Sequence, residues 1–130
     1  MTSMQAAVLY AGLFCFFMLF LKANVGRVRT KHKVGFGDGG HEEMQRSLRV
    51  QGNAVEDVPV VLAGLIGLGA LSAPALLIHG LGASFLVGRI LHAIGLGGSS
   101  GSSFGRSVGT LITALVMVTT AGACLWFALT

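Results

Sequence analysis

The chain has 130 residues, enough for one domain, yet 53% are hydrophobic and only 11% charged, where an ordinary soluble domain carries about 25% charge. With a mean hydropathy of +0.78 it lacks the polar surface to cover itself in water, which excludes a soluble globular protein. The formal charge of +4 does not indicate nucleic acid, because the basic residues form no soluble patch with interleaved aromatics. Cys15 and Cys124 lie in apolar runs without CxxC or Cys/His spacing, so no metal site or disulfide framework is expected, and both read as small buried hydrophobes.

A spanning helix needs roughly 20 mostly apolar residues. MQAAVLYAGLFCFFMLFL, Met4 to Leu21, meets this, and Lys22 closes it like an anchor. No basic n-region precedes it and no small-residue cleavage site follows, so it reads as a retained span over 4–22 rather than a signal peptide. The basic connection that follows contains GFGDGG, Gly35 to Gly40. This matches GxGxxG literally, but no strand precedes it, so a flexible turn with Asp38 bonding locally is expected. His32 and His41 beside it are expected to be solvated.

The second span, 47–71, contains RVQGNAVEDVPVVLAGLIGLGAL, Arg49 to Leu71, polar at its start and apolar from Val58. Ser72-Ala73-Pro74 breaks it. The third, 75–96, is interrupted by Arg89 and His92; GLGGSSGSSFG, Gly95 to Gly105, is a loop by composition, and the fourth span is 106–129. Small residues such as Gly64, Gly82 and Gly88 recur, as expected where helices pack closely in lipid. The expected fold is all-α, an integral membrane four-helix bundle in one domain. Four spans place both termini on one side, and all nine basic residues lie toward the other. The positive-inside rule makes the basic side cytoplasmic and the termini periplasmic.

Arg46, Arg49, Asn53 and Glu56 are spaced three, four and three apart, which at about 100° per residue places them on one helical face. Arg89 and His92 share a face of the third span above Phe85. Arg106, Thr110 and Thr113 begin a polar stripe on the fourth. These faces should meet, because charge directed at lipid costs at least a few kcal/mol per residue. Arg46 at a helix mouth reads as a contact to lipid phosphates. Glu56 and Arg89 read either as a buried fastening pair or as part of a site; a bare pair fastens poorly, since desolvation offsets much of its attraction. The whole set suits a cationic cleft for an anionic, thiol-bearing or amphipathic ligand.

RSLRVQGNAVEDVP, FLVGRILHAIG and GRSVGTLITA together resemble the MAPEG family, the membrane-associated proteins of eicosanoid and glutathione metabolism. GFGDGG followed by RVQGNAVE is similar to its small bacterial inner-membrane branch. The resemblance spans nearly the whole chain and implies a homotrimer of left-handed four-helix bundles, with glutathione as cosubstrate in clefts between subunits. It implies that Arg106 stabilises the glutathione thiolate beside the Ser107 hydroxyl. By the same resemblance Arg27, Arg49, Asn53, Glu56, Arg89 and His92 bind glutathione. A lipophilic small molecule would arrive from the membrane lipids, as electrophile or hydroperoxide. The alternative is a non-catalytic binding or scaffold protein that keeps the cleft. Three positions depart from the enzymatic members: Gly52 replaces a basic residue, Asp57 a tyrosine of some members, and Leu96 a tyrosine.

Overall fold

The computed structural model describes all 130 residues as four helices: α1 (Ser3–His32), α2 (Glu42–Ala70), α3 (Ala75–Gly98) and α4 (Phe104–Leu129). Each is long and apolar enough to cross a membrane. Consecutive helices pack as neighbours, α1 also meets α3 and α2 meets α4, while α1 and α4 stay apart. Only 29 of 130 residues are buried, and Phe16, Leu19, Val60, Leu76, Val118 and Trp126 are exposed. Apolar surface on that scale must face lipid or another subunit.

The four helices cover the stretches expected to span, and α1 and α2 run further. At 1.5 Å per residue, the 30 residues of α1 reach about 45 Å, against about 30 Å of hydrocarbon. What reads as a long basic connection is therefore mostly helix, closed by a turn over residues 33–41. A capping box starts α1: Thr2 Oγ1 accepts from the Gln5 amide, and Gln5 Oε1 accepts from the Thr2 amide at 2.8 Å. Lys33, at φ 54°, ends it, after a last turn whose Arg29, Lys31 and His32 complement the helix dipole. Glu42 and Glu43 do the same for the start of α2.

The GFGDGG segment is indeed a turn. Gly37, Gly39 and Gly40 take positive φ, and Asp38 Oδ1 accepts from the Gly40 amide at 2.8 Å. Beyond the span, Val25, Val28 and Met44 form a small second core. His32 corrects the sequence reading. It is half-buried, its ring stacks on His41 at 4.2 Å, and its Nε2 lies 2.8 Å from Glu43 Oε2, which also accepts from Lys31 Nζ at 2.7 Å. Those two hydrogen bonds, Lys31's first, hold the Glu43 carboxyl down to about 2.

Inside the span, Phe14 of α1 stacks on Phe85 of α3 at 4.9 Å. This fixes the apolar floor expected below Arg89. Nearer the chain termini, Tyr10 lies against Gly82 and its hydroxyl donates to the His79 carbonyl at 3.2 Å. The cysteines depart from expectation. Cys15 is exposed and Cys124 half-buried, its thiol 3.6 Å from the Gly64 carbonyl. Neither sits in the core, because only a narrow stripe of each helix faces inward.

Candidate functional site

Glycine brings α3 and α4 into backbone contact at the basic end. A Cβ on Gly109 would lie 2.6 Å from the His92 nitrogen, and one on Gly105 2.7 Å from the Leu91 carbonyl oxygen; one on Gly95 would strike the Arg106 nitrogen. No side chain fits such a seam. It carries the first turn of α4, and Arg106 with it, against the end of α3. Ser103 caps that turn, its hydroxyl accepting from the Arg106 amide at 3.2 Å.

The polar groups sort into two layers. In the deeper one, Arg89 is only 1% exposed. Its Nη1 donates to Asp57 Oδ2 at 2.9 Å and its Nη2 to Asn53 Oδ1 at 2.7 Å. Nη2 also lies 3.3 Å from His92 Nδ1; a guanidinium cannot accept, so Nδ1 does, and the neutral ring carries its proton on Nε2. Arg89 Nε is buried without a partner. Pro59 lies within α2 just beyond this cluster, so the Val55 carbonyl loses its helical donor.

In the shallower layer, Arg49 Nη1 donates to Glu56 Oε1 at 2.9 Å, two turns along the exposed face of α2. Arg49 also lines a cleft of about 180 Å³ together with Gln45, Arg46, Leu96, Ser100 and Arg106. Arg46 is paired with Glu42 at 2.9 Å and its Nε donates to the Gly97 carbonyl at 3.3 Å. Glu42 Oε1 also accepts from the Ser100 hydroxyl at 2.7 Å. These partners, Ser100 first, lower the Glu42 carboxyl below its ordinary range. Arg106 Nη1 donates to the carbonyls of Ser100 and Gly101 at 3.2 and 3.4 Å. The loop after α3 is thus strapped over the cleft by α2 on one side and by Arg106 on the other.

Of the residues singled out from sequence, Arg49 and Arg106 share the cleft. Asn53, Arg89 and His92 join directly below Arg49, one helical turn from Asn53. Glu56 meets Arg49 and not Arg89, whose carboxylate partner is Asp57. Ser107 is exposed and does not line the cleft. Arg27 is held by Asn24 and opens onto a different cleft, between α1, α2 and α3. Arg46 belongs to the site wall instead of only meeting phosphates. Asp57 lies one turn from Asn53, a spacing that could have identified it, whereas Arg46 is already on the Arg49 face by its spacing. Ser100, within a glycine-serine run, gives no such signal.

Among known proteins, the profile of the MAPEG family matches residues 7–126. "Inner membrane protein YecN" of Escherichia coli K12 is 33% identical over 91 residues, 70% of each chain. "Uncharacterized protein sll1147" of Synechocystis is 36% identical over 110 residues, covering 83% of this chain and 80% of that one.

Proposed function

We propose that this chain, which belongs to the MAPEG family, binds glutathione in the arginine-lined cleft and holds its sulfur as a thiolate. One observation carries the reading: Arg46, Arg49 and Arg106 line a single small cleft at the basic end of the bundle. A thiol titrates near 8.5, so most of it is protonated at neutral pH, and a nearby guanidinium favours the anion by electrostatic attraction. Arginine suits the role because it stays charged when desolvated. In this reading Arg49 and Glu56 give up their mutual ion pair, Arg49 taking a ligand carboxylate and Glu56 a ligand ammonium.

At about 180 Å³, the cleft of one chain is smaller than the roughly 300–1,000 Å³ of typical ligand pockets. We read it as part of a site completed by a neighbouring subunit in a homotrimer. The membrane is the bacterial inner membrane, with the basic end cytoplasmic and the termini periplasmic. A lipophilic partner would enter from the bilayer. In the transfer reaction the thiolate sulfur forms a bond to an electrophilic carbon, and either a leaving group departs with its electron pair or a π bond opens and its electron pair takes up a proton from water. In the peroxidase variant two glutathione thiols are oxidised to the disulfide as one hydroperoxide becomes an alcohol and water.

A second reading, a binding protein without chemistry, draws on a specific observation: Arg106 is engaged by its own loop carbonyls, and Ser107 lies outside the cleft. Calorimetric titration with glutathione and with S-methylglutathione separates the two. An enzyme that holds a thiolate should bind glutathione more tightly than the S-methyl compound and lose that preference in Arg106→Ala. Equal affinities would support the binding protein, and no binding at millimolar glutathione would remove the glutathione reading and leave a binding or scaffold protein for another ligand.

A further inference from the structure

Every guanidinium that lines the basic-end cleft already meets an oxygen of its own chain. Arg49 Nη1 donates to Glu56 Oε1 and Arg46 Nη1 to Glu42 Oε1, each at 2.9 Å. The remaining oxygens come from one segment, residues 97–103. The Gly97 carbonyl accepts from Arg46 Nε at 3.3 Å, and the Ser100 and Gly101 carbonyls accept from Arg106 Nη1 at 3.2 and 3.4 Å. The Ser100 hydroxyl then ties the segment to Glu42 Oε1 at 2.7 Å. Helices α2 and α4 thus hold one stretch of chain from opposite sides of the cleft.

Between its ends, the segment is attached by these hydrogen bonds and little else. Residues 97–102 are all exposed, so no buried side chain anchors it, and a Cβ on Gly97 or Gly98 would meet nothing within 4 Å. Gly97, Gly98 and Gly101 leave its backbone free to take other conformations. A stretch with exposed hydrogen bonds and no apolar anchor belongs to the least stable part of a fold and opens locally. Its carbonyl oxygens carry partial negative charge and engage the same N–H donors that a ligand carboxylate or thiolate would use. A guanidinium offers a fixed set of donors, so segment and ligand compete for them.

We propose that residues 97–103 form an autoinhibitory strap. At rest its carbonyls occupy Arg46 and Arg106, and the cleft admits an anion when the tie between Ser100 and Glu42 lets go. The inference rests on the reading of this cleft as the ligand site. The strap sets apparent affinity through the fraction of time it is open. Because strap and ligand exclude each other, a bound ligand drives the strap outward and does not draw it closed.

Modification of Arg106 by phenylglyoxal, followed by peptide mass spectrometry on the full chain in detergent, reads the strap without glutathione. Wild type, Ser100→Ala, Glu42→Ala and the double variant are compared. Arg29, which donates to the Gly37 carbonyl at 2.9 Å in the distant α1–α2 turn, is the internal reference, and circular dichroism melting checks that the bundle persists. Ser100→Ala should speed Arg106 modification about threefold, in step with the open fraction. It should add nothing on the Glu42→Ala background, since both changes delete the same bond. An unchanged rate in Ser100→Ala, or effects of the two substitutions that multiply, would overturn the proposal. Subtilisin cleavage within residues 99–103 gives a second readout, which saturating glutathione should speed in wild type. Protection by glutathione would contradict the strap, because a loop that closes on its ligand does not inhibit. Faster Arg106 modification in Ser100→Ala with no glutathione binding in any variant would sustain the strap and remove only the glutathione reading.

Discussion

Removal of the Asp57 carboxylate tests the deeper polar layer. At the 2.9 Å separation from Arg89, Coulomb attraction at an effective dielectric constant near 20 is about 6 kcal/mol. Desolvation offsets much of it, so the pair itself contributes little net stability. Breaking it is another matter, because Arg89 at 1% exposure cannot recover water. Such losses cost about 3–5 kcal/mol. The low end applies here, since the Asp57 side chain is 24% exposed and the Asn53 oxygen still accepts. Asp57→Ala should therefore destabilise the bundle by about 3 kcal/mol, whereas Asp57→Leu combined with Arg89→Met should restore at least half of that. Reversible unfolding in mixed detergent micelles, followed by circular dichroism, measures both. If the Asp57 and Arg89 single substitutions simply add, the two side chains are not coupled and the layer does not act as a unit.

Gly109→Ala should force α4 away from the His92 backbone, costing about 1–3 kcal/mol and weakening glutathione binding. Gly52→Ala, with open space around its site, should do neither, and paired melting curves with titrations check this. Ser100→Ala removes the hydroxyl that ties the loop to Glu42, so the loop should move more freely and its Ser100 and Gly101 carbonyls, which remain, should occupy Arg106 for less of the time. Apparent glutathione affinity should rise about threefold; a fall would mean that the loop serves the ligand instead of obstructing it. The α1–α2 turn should loosen in acid. Glu43 is lowered from 4.5 to about 2, so its contribution is complete above the higher value and is lost as pH falls toward the lower one. Protection factors against hydrogen exchange in residues 33–41, which correct for the intrinsic pH dependence of exchange, should fall over that window in wild type but not in Glu43→Gln.

The helices were legible because hydropathy and punctuation agree: four apolar runs, Pro74 after the second, and glycine with serine before the fourth. The helical length beyond the membrane was not legible, because Asn24 to Lys33 reads as a basic loop when only apolar length is counted. What supports helix there is local: the Val25, Val28 and Met44 core, and Glu43 across from Lys31 and His32. The face shared by Arg49, Asn53 and Glu56 was readable from helical spacing. The choice of Asp57 over Glu56 as partner for Arg89 was not, because adjacent carboxylates differ by only about 100° around a helix. That rotation decides which one faces α3, and only packing sets it.

The most direct measurement is the ultraviolet titration of the glutathione thiol bound to the intact protein. Arg106 near the sulfur should lower its pKa at least one unit below the free value near 8.5, worth about 1.4 kcal/mol in favour of the thiolate. Arg106→Ala should return it toward that value. A bound thiol that titrates as free glutathione does, in wild type and variant alike, would contradict the assignment of this cleft to sulfur-anion chemistry.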